Sequence, residues 1–281
     1  MDKISIPAII ERKKTGKKIA AITAYDYTFA CLLSELPIDL ILVGDSLGMV
    51  SLGYESTLPV TVNDIIYHLR AVRRGIKKPI LVGDMPFMSY QISNESAIQN
   101  AGRLIQEGGA EAVKIEGGDK MIERVQATID AGISVMGHIG LTPQSVHQFG
   151  GYRVQGKNFQ AARQIKKDAL SLQQAGVFSI VLEGIPMELA DEITASLEIP
   201  TIGIGAGTQC DGQILVLQDM LGLNLEFLPK YVKKFAELGL LAQEAVNDYI
   251  KSVQSGSFPT KSNSYYLKNE SLKKVENQNQ S

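Results

Sequence analysis

The sequence predicts a (β/α)8 TIM barrel, and three observations carry that prediction. Short aliphatic or β-branched runs alternate with longer segments of helical period, the order of βα units around a parallel sheet. Eight such runs fall within 281 residues, about 35 residues per unit and close to the usual size of a barrel of this kind. A doubly wound dinucleotide fold would place GxGxxG at its first strand-to-helix turn. The glycine-rich turn here, Gly203-Ile204-Gly205-Ala206-Gly207, follows the seventh run and has other spacing.

Taken in order, the strand candidates are IAAIT from Ile19, LILVG from Leu40, PILVG from Pro79 and EAVKIE from Glu111. ISVMGH from Ile133, FSIVLE from Phe178, PTIGIG from Pro200 and the weaker ILVLQDML from Ile214 complete them. Helices are expected where a capping residue precedes an amphipathic run that ends in glycine. Asn63, Asn94 and Asp119 stand in that position, and Pro186 opens a further helix over MELADEITASLE. Beyond about residue 255 the composition turns polar. One catalytic barrel domain over 1–255 and a polar tail over 256–281, ordered at most in its first part, are therefore expected.

Composition narrows the function. With 44% hydrophobic residues, 28 basic and 30 acidic side chains and a net charge of −2, the chain can bury a large core without staples. Cys31 and Cys210 are the two cysteines, and neither belongs to a CxxC pair, so a reducing, cytoplasmic setting is expected rather than a zinc site. No run approaches the roughly 18 apolar residues of a membrane span. Near-neutral charge and the absence of tryptophan speak against a nucleic-acid partner. Small-molecule substrates are the expected partners.

The chemistry is read from what terminates the apolar runs: Asp45, Asp84, Glu116, His138 and Glu183. Polar residues at the carboxyl ends of barrel strands form the active-site rim. Alternation puts Ala112, Lys114 and Glu116 on one face of the fourth strand, so a lysine and a carboxylate project together. The same parity groups Ile41, Val43 and Asp45, and likewise Ile80, Val82 and Asp84. Carboxylates so placed call for a cation, and oxygen ligands without cysteine favour Mg2+, held by Asp45, Asp84 and Glu116. Neutralisation by Lys114 and arginine side chains is the alternative. Glu183, across the mouth in apolar surroundings, is left free as a general base. Ser46 is a candidate binding residue, and Lys114 suits an electrostatic role better than a Schiff base. His138 is a possible further site residue, whereas His68 and His147 read as helix-surface and loop positions.

Several strings then become recognisable: VGDSLGMVSLGYESTLPVT at 43–61, GDMPFMSY at 83–90, AVKIEGG at 112–118, GHIGLTPQSVHQFGGYRVQGK at 137–157, LEGIP at 182–186 and IGIGAGTQCDGQILVLQDMLGL at 202–223. Together with TAYDYTFA at 23–30, they resemble the ketopantoate hydroxymethyltransferase family over roughly residues 4–260. The resemblance implies a barrel of the phosphoenolpyruvate/pyruvate-enzyme type that transfers a one-carbon unit from 5,10-methylenetetrahydrofolate to 3-methyl-2-oxobutanoate in pantothenate synthesis. Carried over by motif, it associates Asp45, Asp84 and Glu116 with Mg2+, and Asp45, Ser46, Asp84 and Lys114 with the oxoacid. Glu183 becomes the catalytic base, and the resemblance implies a homodecamer. The chain departs from the pattern at Asn263, where members often carry histidine. A metal-dependent 2-oxoacid lyase or aldolase is the nearest other reading.

Overall fold

A computed structural model describes residues 3–224 and 228–266. Eight strands, β1 (Ile19–Thr23), β2 (Leu40–Val43), β3 (Ile80–Asp84), β4 (Ala112–Glu116), β5 (Val135–Gly140), β6 (Ser179–Glu183), β7 (Thr201–Ile204) and β8 (Gly212–Leu215), pair in chain order. All neighbours are parallel and β8 closes on β1, so the predicted barrel is the observed one. Alternation along the strands builds two apolar layers. Leu40, Leu42, Ile80, Val82, Met136 and Ile202 fill the barrel interior, while Ile41, Val43, Leu81, Val113 and Ile180 pack outward beneath the helices.

The register staggers the strands so that Asp84 pairs with Lys114, Glu116 with His138, and Gly140 with Glu183. Asp84 therefore stands beside Lys114 and Glu116 beside His138, while Glu183 lies two residues beyond Val181, the partner of His138. The expected parity turns the site residues inward on β3 and β4, but not on β2. Ile41 and Val43 face outward, and Asp45 reaches the mouth only because the strand ends at Val43 and the chain turns at Gly44.

The amino-terminal end is closed by a helix, Ile6–Thr15, that the charged sequence IERKK hid from periodicity. Ser5 caps it, Gly16 ends it in the left-handed region at φ 69°, and Ile9, fully buried, inserts into the interior layer. Burying such a side chain stabilises by about 1.5–3 kcal/mol. Around this plug Arg12 binds Asp39 at 2.6 Å and Lys13 binds Asp211 at 2.9 Å.

Helix starts differ from expectation by a residue or two. Thr61, not Asn63, caps Val62–Gly75, because Asp64 three residues on completes a capping box. Ser93 rather than Asn94 caps Asn94–Gln106 in the same way. Asp119 lies inside a 3-10 turn, Asp119–Met121, and pairs with Lys167. Pro186 does precede its helix, Met187–Ser196. β8 is shorter than the apolar run implied, because Leu217–Met220 forms a helical turn.

The helix Leu238–Gln254 carries the chain past the barrel with Leu241, Val246, Tyr249 and Val253 exposed. Within the expected tail, Asn263 closes a turn by accepting from Thr260 N and Oγ1; residues 267–281 of that tail lie outside the described residues. No described helix is long and apolar enough to cross a membrane.

Candidate active site

The carboxyl ends of β2 to β6 bring Asp45, Asp84, Lys114, Glu116, His138 and Glu183 into one cluster. The first five are almost wholly buried, and the Glu183 side chain is 13% exposed. Lys114 Nζ lies 2.9 Å from Asp84 Oδ1 and 3.5 Å from Glu116 Oε1. His138 comes next, its Nδ1 3.3 Å from both Lys114 Nζ and Glu116 Oε1 and its Nε2 3.2 Å from Glu183 Oε2. The base candidate thus meets an imidazole rather than the apolar surroundings expected for it. On the other flank, Asp84 Oδ2 accepts from Asp45 N at 3.0 Å.

Burial and crowding set the charges. Asp45 is pushed well above the usual carboxylate range, first by burial and then by Asp84 and Glu116. Asp84 is raised by burial, which Lys114 only partly offsets. Burial opposes the charge on Lys114, but Asp84, Glu116 and Asp45 outweigh it and hold the ammonium protonated. Glu116 is held below the ordinary range because Lys114 and His138 overcome its burial. Burial and Lys114 likewise oppose a charge on His138, yet its contacts with Glu116 and Glu183 lift its pKa to about 9.

Anionic charge is in excess, and this decides how a cation would fit. Asp84 Oδ1 is buried without an aligned hydrogen-bond donor, although Lys114 stands beside it. Among the described residues no three histidine, cysteine or carboxylate side chains converge as a ready ligand set. Glu116 is engaged by protein donors at both oxygens: Lys114 and His138 approach Oε1, and Gln144 N donates to Oε2 at 3.1 Å. Such a site suits an ion that takes one or two carboxylates and completes its shell with substrate and water, the habit of Mg2+.

Three residues escaped sequence reasoning. Tyr25, buried just after β1, hydrogen-bonds Ser46 Oγ through its hydroxyl at 2.8 Å. Ser46 opens the short helix Leu47–Val50 without capping it by its side chain, so its hydroxyl is oriented by Tyr25 instead. Gln144 and Tyr90 come from the loops after β5 and β3. Gln144 Nε2 donates to Asp45 Oδ2 and to Met85 O, each at 2.9 Å, and Tyr90 OH lies 2.9 Å from Gln144 Oε1. The signal available was the Gly-Leu-Thr-Pro-Gln turn. Gly140 at φ 95° leaves β5 where any Cβ would lie 2.3 Å from Glu183 O, and the 3-10 turn Pro143–Ser145 then aims Gln144 back at the mouth. His68, half-buried with Nδ1 2.6 Å from Tyr25 O, and exposed His147 lie outside the cluster.

A closed parallel barrel with acid, lysine and histidine side chains at its carboxyl-terminal mouth defines a class of (β/α)8 enzyme. Solved structures of low sequence identity share this barrel fold. A 2,3-dimethylmalate lyase superimposes with TM-score 0.58 at 14% identity, covering 98% of this chain and 95% of that one. A phosphoenolpyruvate phosphomutase from Streptomyces platensis subsp. rosaceus gives 0.57 at 12%, covering 96% of each. Within that class the chain belongs to the ketopantoate hydroxymethyltransferase family, whose sequence profile matches residues 3–261. The 3-methyl-2-oxobutanoate hydroxymethyltransferase of Pelobacter propionicus is 57% identical over 263 residues, covering 94% of this chain and 97% of its own. Its counterpart in Thermoanaerobacter pseudethanolicus is 55% identical over 266 residues, covering 95% and 97%.

Proposed function

We propose that the chain transfers a hydroxymethyl group from 5,10-methylenetetrahydrofolate to 3-methyl-2-oxobutanoate, giving 2-dehydropantoate, and that it does so in the cytoplasm, where Cys31 and Cys210 stay free thiols. The observation that carries this reading is the placement of Glu183. It is a carboxylate on β6, beside His138, next to a charged cluster able to hold an oxoacid.

Asp45 and Asp84 would hold Mg2+, with Glu116 contributing negative charge beside them while its oxygens stay engaged by the protein. The ion, when bound, supplies Lewis-acid stabilisation to the 2-oxo and carboxylate oxygens of the substrate. Ser46, held by Tyr25, offers its hydroxyl to the oxoacid. Glu183 accepts the C3 proton and His138 holds the carboxylate at the mouth. Lys114, locked between Asp84 and Glu116, stabilises negative charge as it develops on the 2-oxo oxygen. In the net transfer C3 bonds to the one-carbon unit, both bonds of that unit to the folate nitrogens break, the oxygen of water becomes the hydroxyl, and the two nitrogens take up the proton lost from C3 and one proton of the water.

Proton removal precedes the carbon-carbon bond, so it is measurable without folate. In deuterated buffer containing Mg2+, the protein should exchange the C3 hydrogen of 3-methyl-2-oxobutanoate, and Glu183→Gln should slow that exchange by about 100-fold or more while the oxoacid still binds. Wild-type exchange by the variant would remove Glu183 as base. Full turnover without folate would favour a lyase or aldolase instead.

The same reading includes a homo-oligomer, a homodecamer as in the resemblance. Supporting it, the helix Leu238–Gln254 exposes apolar side chains along its length, and Ala20 and Gln213 are exposed on the barrel wall at β1 and β8. Light scattering at micromolar concentration should return a mass several times that of one chain; a monomer would refute this part.

A further inference from the structure

Gln144 touches two acidic residues of the mouth at once, one through its backbone and one through its side chain. Its backbone N–H, freed at the start of a 3-10 turn, donates to Glu116 Oε2 at 3.1 Å. Its side-chain amide donates to Asp45 Oδ2 at 2.9 Å. At 6% exposure little water could replace it in either role.

The amide can face only one way. Nε2 meets two acceptors, Asp45 Oδ2 and Met85 O; reversing the group would set Oε1 against a carboxylate and a carbonyl. Oε1 meets donors, Tyr90 OH at 2.9 Å and Gln91 Nε2 at 3.3 Å. Tyr90 has one phenolic hydrogen and two acceptors within reach, Gln144 Oε1 and Glu116 O at 3.0 Å, and burial keeps that hydrogen in place by raising the phenol far above its ordinary pKa.

We propose that Gln144, braced by Tyr90, is a positioning residue that fixes the plane of the Asp45 carboxylate and so turns one of its oxygens toward the cation. The inference rests on the reading of Asp45 as a cation ligand. Without the amide, the Asp45 carboxylate loses its hydrogen bond to Gln144 and faces the repulsion of Asp84 and Glu116 with only the charge of Lys114 against it. Partners that orient a ligand in this way typically govern metal affinity by about 10–100-fold.

The test measures Mg2+ binding directly, with no substrate present, by isothermal titration of the full-length chain and by the rise in Tm with Mg2+. Gln144→Met keeps the length of the side chain and removes its hydrogen bonds. It should raise the Kd for Mg2+ by about 10–100-fold with an unchanged far-ultraviolet circular dichroism spectrum. Tyr90→Phe should raise it less, and the double variant should be no weaker than Gln144→Met alone, because Tyr90 acts through Gln144. If Gln144→Met does not fold, Tyr90→Phe carries the test. A variant Kd equal to that of the wild-type protein overturns the positioning role. Absence of Mg2+ binding by the wild-type protein would instead overturn the cation reading, and this proposal with it.

Discussion

Both ends of the barrel carry buried or half-buried ion pairs, yet the two sets are built on opposite terms. At the amino-terminal floor each carboxylate is matched. Asp39 accepts from Arg12 and from Ala20 N, and Asp211 accepts from Lys13 and from Thr201 N. At the mouth, Asp84, Glu116 and Glu183 share Lys114 and His138, Asp45 feels Lys114 only at longer range, and Asp84 keeps a buried oxygen without an aligned donor. The floor is neutralised by the protein itself, whereas the mouth leaves charge for something else to neutralise. Unbalanced, buried titratable groups of this kind are characteristic of functional sites.

The sharpest way to break this contrast is to remove one cation from each end. Lys114→Met takes the shared ammonium from Asp84 and Glu116, leaving Asp84 with the Asp45 N–H and Glu116 with His138 and Gln144 N, and should cost about 3–5 kcal/mol of stability by chemical denaturation. Lys13→Met at the floor should cost less, about 1–3 kcal/mol, because Thr201 still donates to Asp211. Equal losses would mean that the two clusters are structurally alike.

A smaller effect sharpens the comparison through pH. Unfolded Asp45 and Asp84 release their protons near the ordinary value of about 4, while in the native chain both hold them to higher pH. The folded state then binds more protons than the unfolded one, so stability falls as pH rises through that window. His138 acts in the same sense: its raised pKa stabilises the fold fully below the ordinary histidine value and is lost as pH rises through about 9. Glu116, lowered, works the other way only as pH falls below the ordinary carboxylate range. Chelated protein should therefore have a higher Tm near pH 5 than near pH 9, and Mg2+ should narrow the gap. Asp45→Asn should flatten the profile and stabilise the chelated protein by about 0.5–2 kcal/mol at neutral pH while removing most of the Mg2+ effect. A profile that Asp45→Asn leaves unchanged would contradict the assignment of crowding at that residue.

Most of the mouth is legible in the chain alone because strand alternation is rigid. Once β3 to β6 are located, Asp84, Lys114, Glu116, His138 and Glu183 must point inward. Asp45 reaches the same place by a route that alternation does not describe: its strand neighbours face outward, and only the turn at Gly44 brings it back. Tyr90 and Tyr25 are not legible, and Gln144 is marked only by the turn that carries it, since loop residues have no period and their contacts depend on segments far apart in the sequence. The helix Ile6–Thr15 is hidden for a related reason. It buries Ile9 through one narrow stripe, and its remaining charges face solvent or pair with Asp39 and Asp211.

That plug has a further consequence for traffic. With Ile9 stoppering one end and aliphatic side chains filling the shaft above it, the barrel is a vessel with a single opening. On the proposed reaction, both co-substrates, any ion and every exchanging proton would share one doorway. Whatever settles deepest would be covered by the next molecule to enter, and the far end serves only as a wall.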